Sequence, residues 1–166
     1  MTLLPVIEPL DNEYCEQIIG LILPIQQIEF NVPVTAEDQP DLRDIETNYH
    51  QTGGGFWGAK YKGELVGTIG LIAIDHPGGT IRKMFVRKEF RGKELGIAQQ
   101  LLDTLVDHCR VHGITDLYLG TVEKLQAAIR FYERNGFRRV EKAALPESFP
   151  LMPVDNTFYH LHLTTA

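Results

Sequence analysis

The stretch 84–96, "MFVRKEFRGKELG", and the pattern that follows it constrain this chain more than any other feature. It opens as a β-run (Met84, Phe85, Val86), passes through a charged turn, and enters an amphipathic helix near Leu95. Beyond that start Ala98, Leu101, Leu102, Leu105, Val106 and Cys109 recur at spacings of three and four, so one face is a core face. His112 and Gly113 supply a glycine stop. A strand that feeds a basic turn and a helix start aims free backbone N–H groups and the positive end of the helix dipole at one spot. Arg91, Gly92, Lys93 and Gly96 sit there. The glycines admit a ligand close to the backbone and the cations add charge. The stretch is therefore expected to hold an anion, and phosphate fits it best.

The rest of the chain supplies strands and helices around that turn. Residues 4–7 read as a first strand, and Asp11 or Asn12 caps a helix carrying Tyr14, Ile18, Ile19, Ile22 and Leu23. Pro24 ends or kinks it, with "IQQIEF" as a further turn. After a proline- and acid-rich loop, residues 41–54 read as a second helix with Leu42, Ile45 and Tyr49 on one face. The following "GGGFWG" satisfies Gly-x-Gly-x-x-Gly, but it follows a helical stretch and leads into a hairpin, so the dinucleotide reading fails. These glycines are expected to end a helix and start an edge strand. Strands are expected at 56–61, 65–74 and 81–86, joined by turns at Lys62 and Gly63 and at "HPGGT".

After the central helix, residues 116–121 form a strand, and the strand-helix-strand order favours a parallel, right-handed crossover from 84–86. The helix in "VEKLQAAIRFYERNGF" gathers Leu125, Ala128, Ile129 and Tyr132 on one side. Two last strands, 137–143 and 158–163, are expected to pair. The order β-α-α-β-β-β-α-β-α-β-β gives one α/β (α+β) domain in 166 residues, a natural size for a single core.

Composition narrows the partners. A formal charge of −6 speaks against a general nucleic-acid binder. Cys15 and Cys109 fall at apolar helix positions and are expected as buried thiols, and no Cys/His spacing suggests a metal. "MTLLPVIEPL" has no basic flank and is broken by Pro5 and Pro9, so neither a signal peptide nor a membrane span is expected, and the cytoplasm is the expected location.

Two motifs carry a family resemblance. The turn from Arg91 through Glu94 to Gly96 resembles the Arg/Gln-x-x-Gly-x-Gly/Ala motif of the GNAT N-acetyltransferases, with Glu94 standing where the middle glycine is usual. "AAIRFYERNGF" (127–137) is similar to that family's A-x-x-[FL]-Y-[EK]-x-x-G-F, and the likeness covers essentially the whole chain; "GGGFWGAKYKGELVGTIGL" and "LPESFPLMPVDNTFY" also resemble one bacterial subgroup of small acetyltransferases of unassigned substrate. The resemblance implies a mixed, mostly antiparallel sheet of about seven strands with a splayed parallel pair and about four helices. It implies acetyl-CoA as acyl-donor co-substrate, with no metal. The CoA pyrophosphate would lie on Arg91, Gly92, Lys93, Glu94, Leu95 and Gly96, where Ile97 and Ala98 open the helix. The pantetheine arm would run along Met84, Phe85 and Val86 against Leu125, Ala128, Phe131 and Tyr132.

By the same resemblance Tyr132 is the general acid that protonates the leaving thiolate, although its place in the apolar stripe also suits a core aromatic. The strand position at which many relatives carry a basic glutamate is Thr80 here. Glu123 is named for the base, with Glu46, Tyr49, Asp155 and a bound water left open. The first two helices and their loop would wall the acceptor site, bringing Glu37, Asp38, Asp41, Glu46 and Tyr49 toward an amine. The implied reaction is direct acetyl transfer to a primary amine of a small molecule or peptide. The alternative is a non-catalytic acyl-CoA-binding sensor of the same fold. A homodimer is compatible with the family, and neither a nucleic-acid nor a membrane partner is expected.

Overall fold

The three apolar runs between the "GGG" segment and the charged turn make the middle of the sheet. The structure, a computed structural model, describes residues 4–92 and 94–164. Its seven strands are β1 (Val6–Pro9), β2 (Gly55–Tyr61), β3 (Glu64–Ile74), β4 (Gly78–Val86), β5 (Asp116–Thr121), β6 (Arg138–Val140) and β7 (Thr157–His162). They lie in the order β1-β2-β3-β4-β5-β7-β6. Only β4 and β5 run parallel; the other neighbours are antiparallel, including the last two strands, as expected. Lys62 and Gly63 both take positive φ, 53° and 79°, which a two-residue hairpin turn with the twist of its strands requires.

Four α-helices are described: α1 (Cys15–Pro24), α2 (Ile45–Asn48), α3 (Ile97–His112) and α4 (Gln126–Arg134). Successive strand residues point to opposite faces, so the sheet carries two cores. Trp57 and Val66 meet α3 through Leu101, Leu105 and Cys109. Phe56 and Leu65 meet α1 through Ile18, Leu21 and Ile22.

Three expectations are corrected. The second helix, expected over 41–54, is broken into 3-10 turns at Pro40–Arg43 and His50–Thr52 around the single turn of α2. Asp44 leaves helical conformation, and its carboxylate accepts the Thr47 N–H, which restarts the chain as a new helix. The strand after the glycines is not an edge, because β1 covers β2. Gly54 is required there: a Cβ would stand 1.8 Å from the Leu71 carbonyl oxygen. Cys109 is buried, but Cys15 is only half-buried. After α1, Pro24 leads into a π-helical turn, Ile25–Glu29, which carries the chain over the open side of the sheet.

The parallel pair positions the site. β4 and β5 share only three residue pairs, Gly78 with Asp116, Gly79 with Leu117 and Thr80 with Tyr118. From there β5 stays with β7 while β4 continues toward Val86 without it. The crossover therefore pairs before residues 84–86, and those residues lie in the gap. β4 is also irregular opposite Thr68 and Gly70, where Lys83 takes φ 57° and its carbonyl accepts the Thr68 hydroxyl at 2.7 Å. Such a bulge bends a strand and re-aims its side chains.

Candidate active site

Val86 shows what the gap offers. The Arg87 N–H bonds the Val66 carbonyl at 2.8 Å, so alternation along the antiparallel ladder turns the Val86 N–H and C=O away from β3, into the gap. A cavity of about 220 Å³ follows this edge. Met84, Phe85 and Val86 form one wall, and Leu125, Ala128, Phe131 and Tyr132 form the other. Tyr132 is buried, and its hydroxyl donates to the Met84 sulfur at 3.6 Å. Burial, helped by the nearby Asp155 carboxylate, pushes its pKa well up, so the phenol stays protonated at neutral pH.

At the end of this cavity lies the charged turn. Gly92 and Gly96 take φ 119° and 59°, conformations that favour glycine. No side chain caps α3 and no acid lies in its first turn, so its leading N–H groups stay open to an anion. Arg91 and Gly92 line the cavity and Ala98 joins them from α3. Glu94 is exposed, and the Leu95 carbonyl accepts from the Gln100 side chain at 2.8 Å. The Ile97 side chain is buried in the α3 core, so what Ile97 can offer an anion is its backbone N–H at the start of the helix. Lys93 lies outside the described residues. Arg91 is already engaged. Its Nε donates to the Val86 carbonyl at 2.8 Å, and its guanidinium makes a two-pronged pair with Glu29 of the π-helical turn.

A second cavity of about 120 Å³ adjoins the first, with Phe30, Phe85 and Leu125 lining both. Its polar groups come mainly from β4 and from the loop before β7. The Lys83 ammonium is buried; it donates to Gln39 Oε1 and lies 3.9 Å from Asp41 Oδ2. Burial lowers its pKa to about 8 despite Asp41. Among the described residues Arg82 reaches only the Met152 sulfur, at 3.2 Å. Burial pushes the Asp155 carboxyl up to about 6, against the pull of Arg82 and Lys83.

The acids expected at the acceptor site are elsewhere. Glu123 is exposed before α4, its backbone N–H held by Asn156, and its carboxylate lines neither cavity. Glu37, Asp38 and Glu46 are exposed too, and Asp38 is occupied with the Thr35 N–H. Tyr49 is fully buried against Phe56, and its hydroxyl donates to Asp41 at 2.6 Å. That core position removes it from any substrate. Thr80 is buried at the mouth of the split. Arg82, Lys83 and Gln39 take the place of these acids in the cavity. The available signal was "TIRKMFV", two adjacent cations inside an apolar strand. Among the described residues no group of His, Cys, Asp and Glu is placed to hold a metal ion, and no helix is long and apolar enough to cross a membrane.

Known proteins share this fold. An acetyltransferase of the GNAT family from Staphylococcus aureus Mu50 is 43% identical and superposes with a TM-score of 0.93 over 96% of this chain and 99% of that one. The probable N-acetyltransferase family 8 member 5 of Mus musculus is 36% identical over 109 residues, 63% of this chain and 47% of that protein. This chain thus spans about half the length of such curated relatives. The PaiA N-acetyltransferase of Thermoplasma acidophilum, solved in complex with coenzyme A, shares the fold at 17% identity, with a TM-score of 0.73 over 98% of this chain and 99% of that one. Residues 21–137 match the sequence model of the acetyltransferase (GNAT) family, and with the split parallel pair in place the chain belongs to that family.

Proposed function

We propose that the protein is an N-acetyltransferase that moves acetyl from acetyl-CoA directly to a primary amine of a small molecule or peptide. The observation that carries this reading is the split itself. An apolar cavity runs along the unpaired edge of β4, from the Arg91 turn to the Tyr132 hydroxyl, and adjoins a second, polar cavity. Residues of the first cavity fit acetyl-CoA. The open N–H groups of α3, with Gly92 and Gly96, suit its pyrophosphate, and the Val86 N–H suits a carbonyl of its pantetheine arm, the Val86 C=O being already bonded by Arg91.

Bound there, acetyl-CoA would supply an activated acyl carbon. The β4 backbone of Met84 and Val86 would orient the thioester and hold the oxyanion formed as the amine attacks, a preorganised donor acting in a dry site. Tyr132 keeps its proton until charge develops on the leaving sulfur, and then donates to it. Carbon–nitrogen bond formation and carbon–sulfur cleavage leave the acetylated amine and the CoA thiol.

Calorimetric titration with acetyl-CoA, with NADH as a control for the glycine run, tests the first half of this reading. Micromolar binding of acetyl-CoA alone is the expected result, followed by thiol release over a panel of amines. Failure to bind acetyl-CoA would overturn the reading. Binding without turnover of any amine would favour the sensor.

A further inference from the structure

The polar cavity holds an arginine and a carboxylate that do not satisfy each other. The Arg82 guanidinium has five donors but only a thioether, a weak acceptor, as a hydrogen-bond partner among the described residues. The Asp155 carboxylate accepts no side-chain or backbone hydrogen bond among the described residues, although it is half-buried. The two line the same cavity and form no ion pair. Lys83 bonds neither of them, being engaged by Gln39 and Asp41, although its charge acts on Asp155. Both groups line the cavity with hydrogen-bonding capacity unused and still reached by solvent, so the cavity is shaped for a guest bearing both opposite charges.

We propose that the acceptor is a small zwitterion, a primary amine that also carries a carboxylate, bound with its carboxylate on Arg82 and its ammonium on Asp155. This assignment rests on the acyl-transfer reading. The order of the groups supports it. Asp155 is near enough to Tyr132 to act on it electrostatically, which places the amine end beside the cavity expected for the thioester. The Arg82 end offers the planar fork that a carboxylate meets with two parallel bonds. Size agrees as well. A cavity of about 150 Å³ holds benzene. The 120 Å³ here therefore suits about five non-hydrogen atoms, the number in an amino-acid core.

The same placement gives Asp155 a second task. Its carboxylate takes one proton from the ammonium, freeing the lone pair that attacks the thioester carbon. After attack the carbon–sulfur bond breaks and Tyr132 protonates the leaving sulfur, while the second proton lost by the nitrogen returns to the Tyr132 phenolate; the amide and the thiol leave neutral, and Asp155 releases the first proton to solvent. With its pKa near 6, Asp155 is ionised and able to accept at neutral pH, while Arg82 and Lys83 facing it remain cationic.

Three matched sets test this with the intact protein: α-, β- and γ-amino acids, their carboxamides, and the corresponding amines lacking the carboxylate. CoA thiol release should favour at least one amino acid over its amide and its decarboxylated partner by about 100-fold or more in kcat/KM, since a site built for a polar group strongly rejects analogues lacking it. Arg82→Leu should abolish that preference, chiefly through KM, while acetyl-CoA affinity stays put; Arg82→Lys should restore part of it. Asp155→Asn should lower kcat and remove the acidic limb near pH 6 from the rate profile. Equal or better turnover of amides or plain amines would overturn the zwitterion and leave the acetyltransferase standing. Turnover of none of the three sets, or no binding of acetyl-CoA, would count against the acetyltransferase itself.

Discussion

Tyr132 belongs to two environments at once. Its ring lies edge-on to Phe131 and Phe137 in the core, while its hydroxyl reaches the sulfur of Met84 in the cavity. Tyr132→Phe keeps the ring contacts and removes only the donor. Turnover should fall by about 10²- to 10⁴-fold, the usual worth of a positioned acid, with acetyl-CoA affinity nearly unchanged by calorimetry. A variant that turns over normally would take Tyr132 out of the chemistry. Asp155 makes a separate prediction through stability. Its folded pKa of about 6 lies above the ordinary 3.8, so the folded state holds the proton more tightly than the unfolded chain. The associated stability is present below about pH 4, is lost as pH rises through the folded pKa, and amounts to roughly 3 kcal/mol. Asp155→Asn should therefore raise the melting temperature by several degrees at pH 8 and hardly at all at pH 4. An equal rise at both values would show that the carboxylate is not strained by burial.

The elements were legible in the sequence to different degrees, for physical reasons. α3 was read almost to its ends because a long apolar stripe and a terminal glycine are local signals, and Gly113 does close the helix at φ 73°. The second helix was misread because Leu42, Ile45 and Tyr49 are all buried, and burial alone mimics a helical stripe while Asp44 interrupts the backbone. The CoA-side cavity was legible because its residues fall within two compact motifs. Of the acceptor cavity only Asp155 was legible, among the open candidates for the base; Arg82 and Gln39 were not, since they converge on it from distant segments and no local period records that convergence. Nor did the sequence indicate the pairing between the π-helical turn and the charged turn. Glu29 holds the Arg91 guanidinium beside the cavity, where it would compete with and repel a pyrophosphate. A partly exposed pair of this kind is worth about 0.2–1 kcal/mol, so Glu29→Gln should tighten acetyl-CoA by roughly two- to fivefold, more at low salt. Weaker binding in the titration would mean that Glu29 instead orients Arg91 for the cofactor.

At the scale of the molecule, the split makes one side of the sheet depend on what fills it. Elsewhere the two cores clamp β2 and β3 from both faces through α1 and α3. Beyond Thr80, by contrast, β4 and α4 face each other across the cavity, joined there by the Tyr132–Met84 contact. A ligand that lies in that gap and completes the free edge of β4 binds only the folded chain, so its binding energy adds to stability by mass action. At a concentration 100 times its Kd this contributes about 2.7 kcal/mol. For a domain of this size that corresponds to a rise in melting temperature of roughly 5–10 °C. NADH should give no rise, because the glycine run that mimics its fingerprint is spent on closing a 3-10 turn and starting β2. Hydrogen exchange adds the spatial reading: acetyl-CoA should slow exchange of the Val86 amide and of the first turn of α3, leaving the β2–β3 hairpin unchanged. A melting rise with protection confined to the hairpin would place the ligand outside the split, and the function assigned to it would then have to be sought on another face of the sheet.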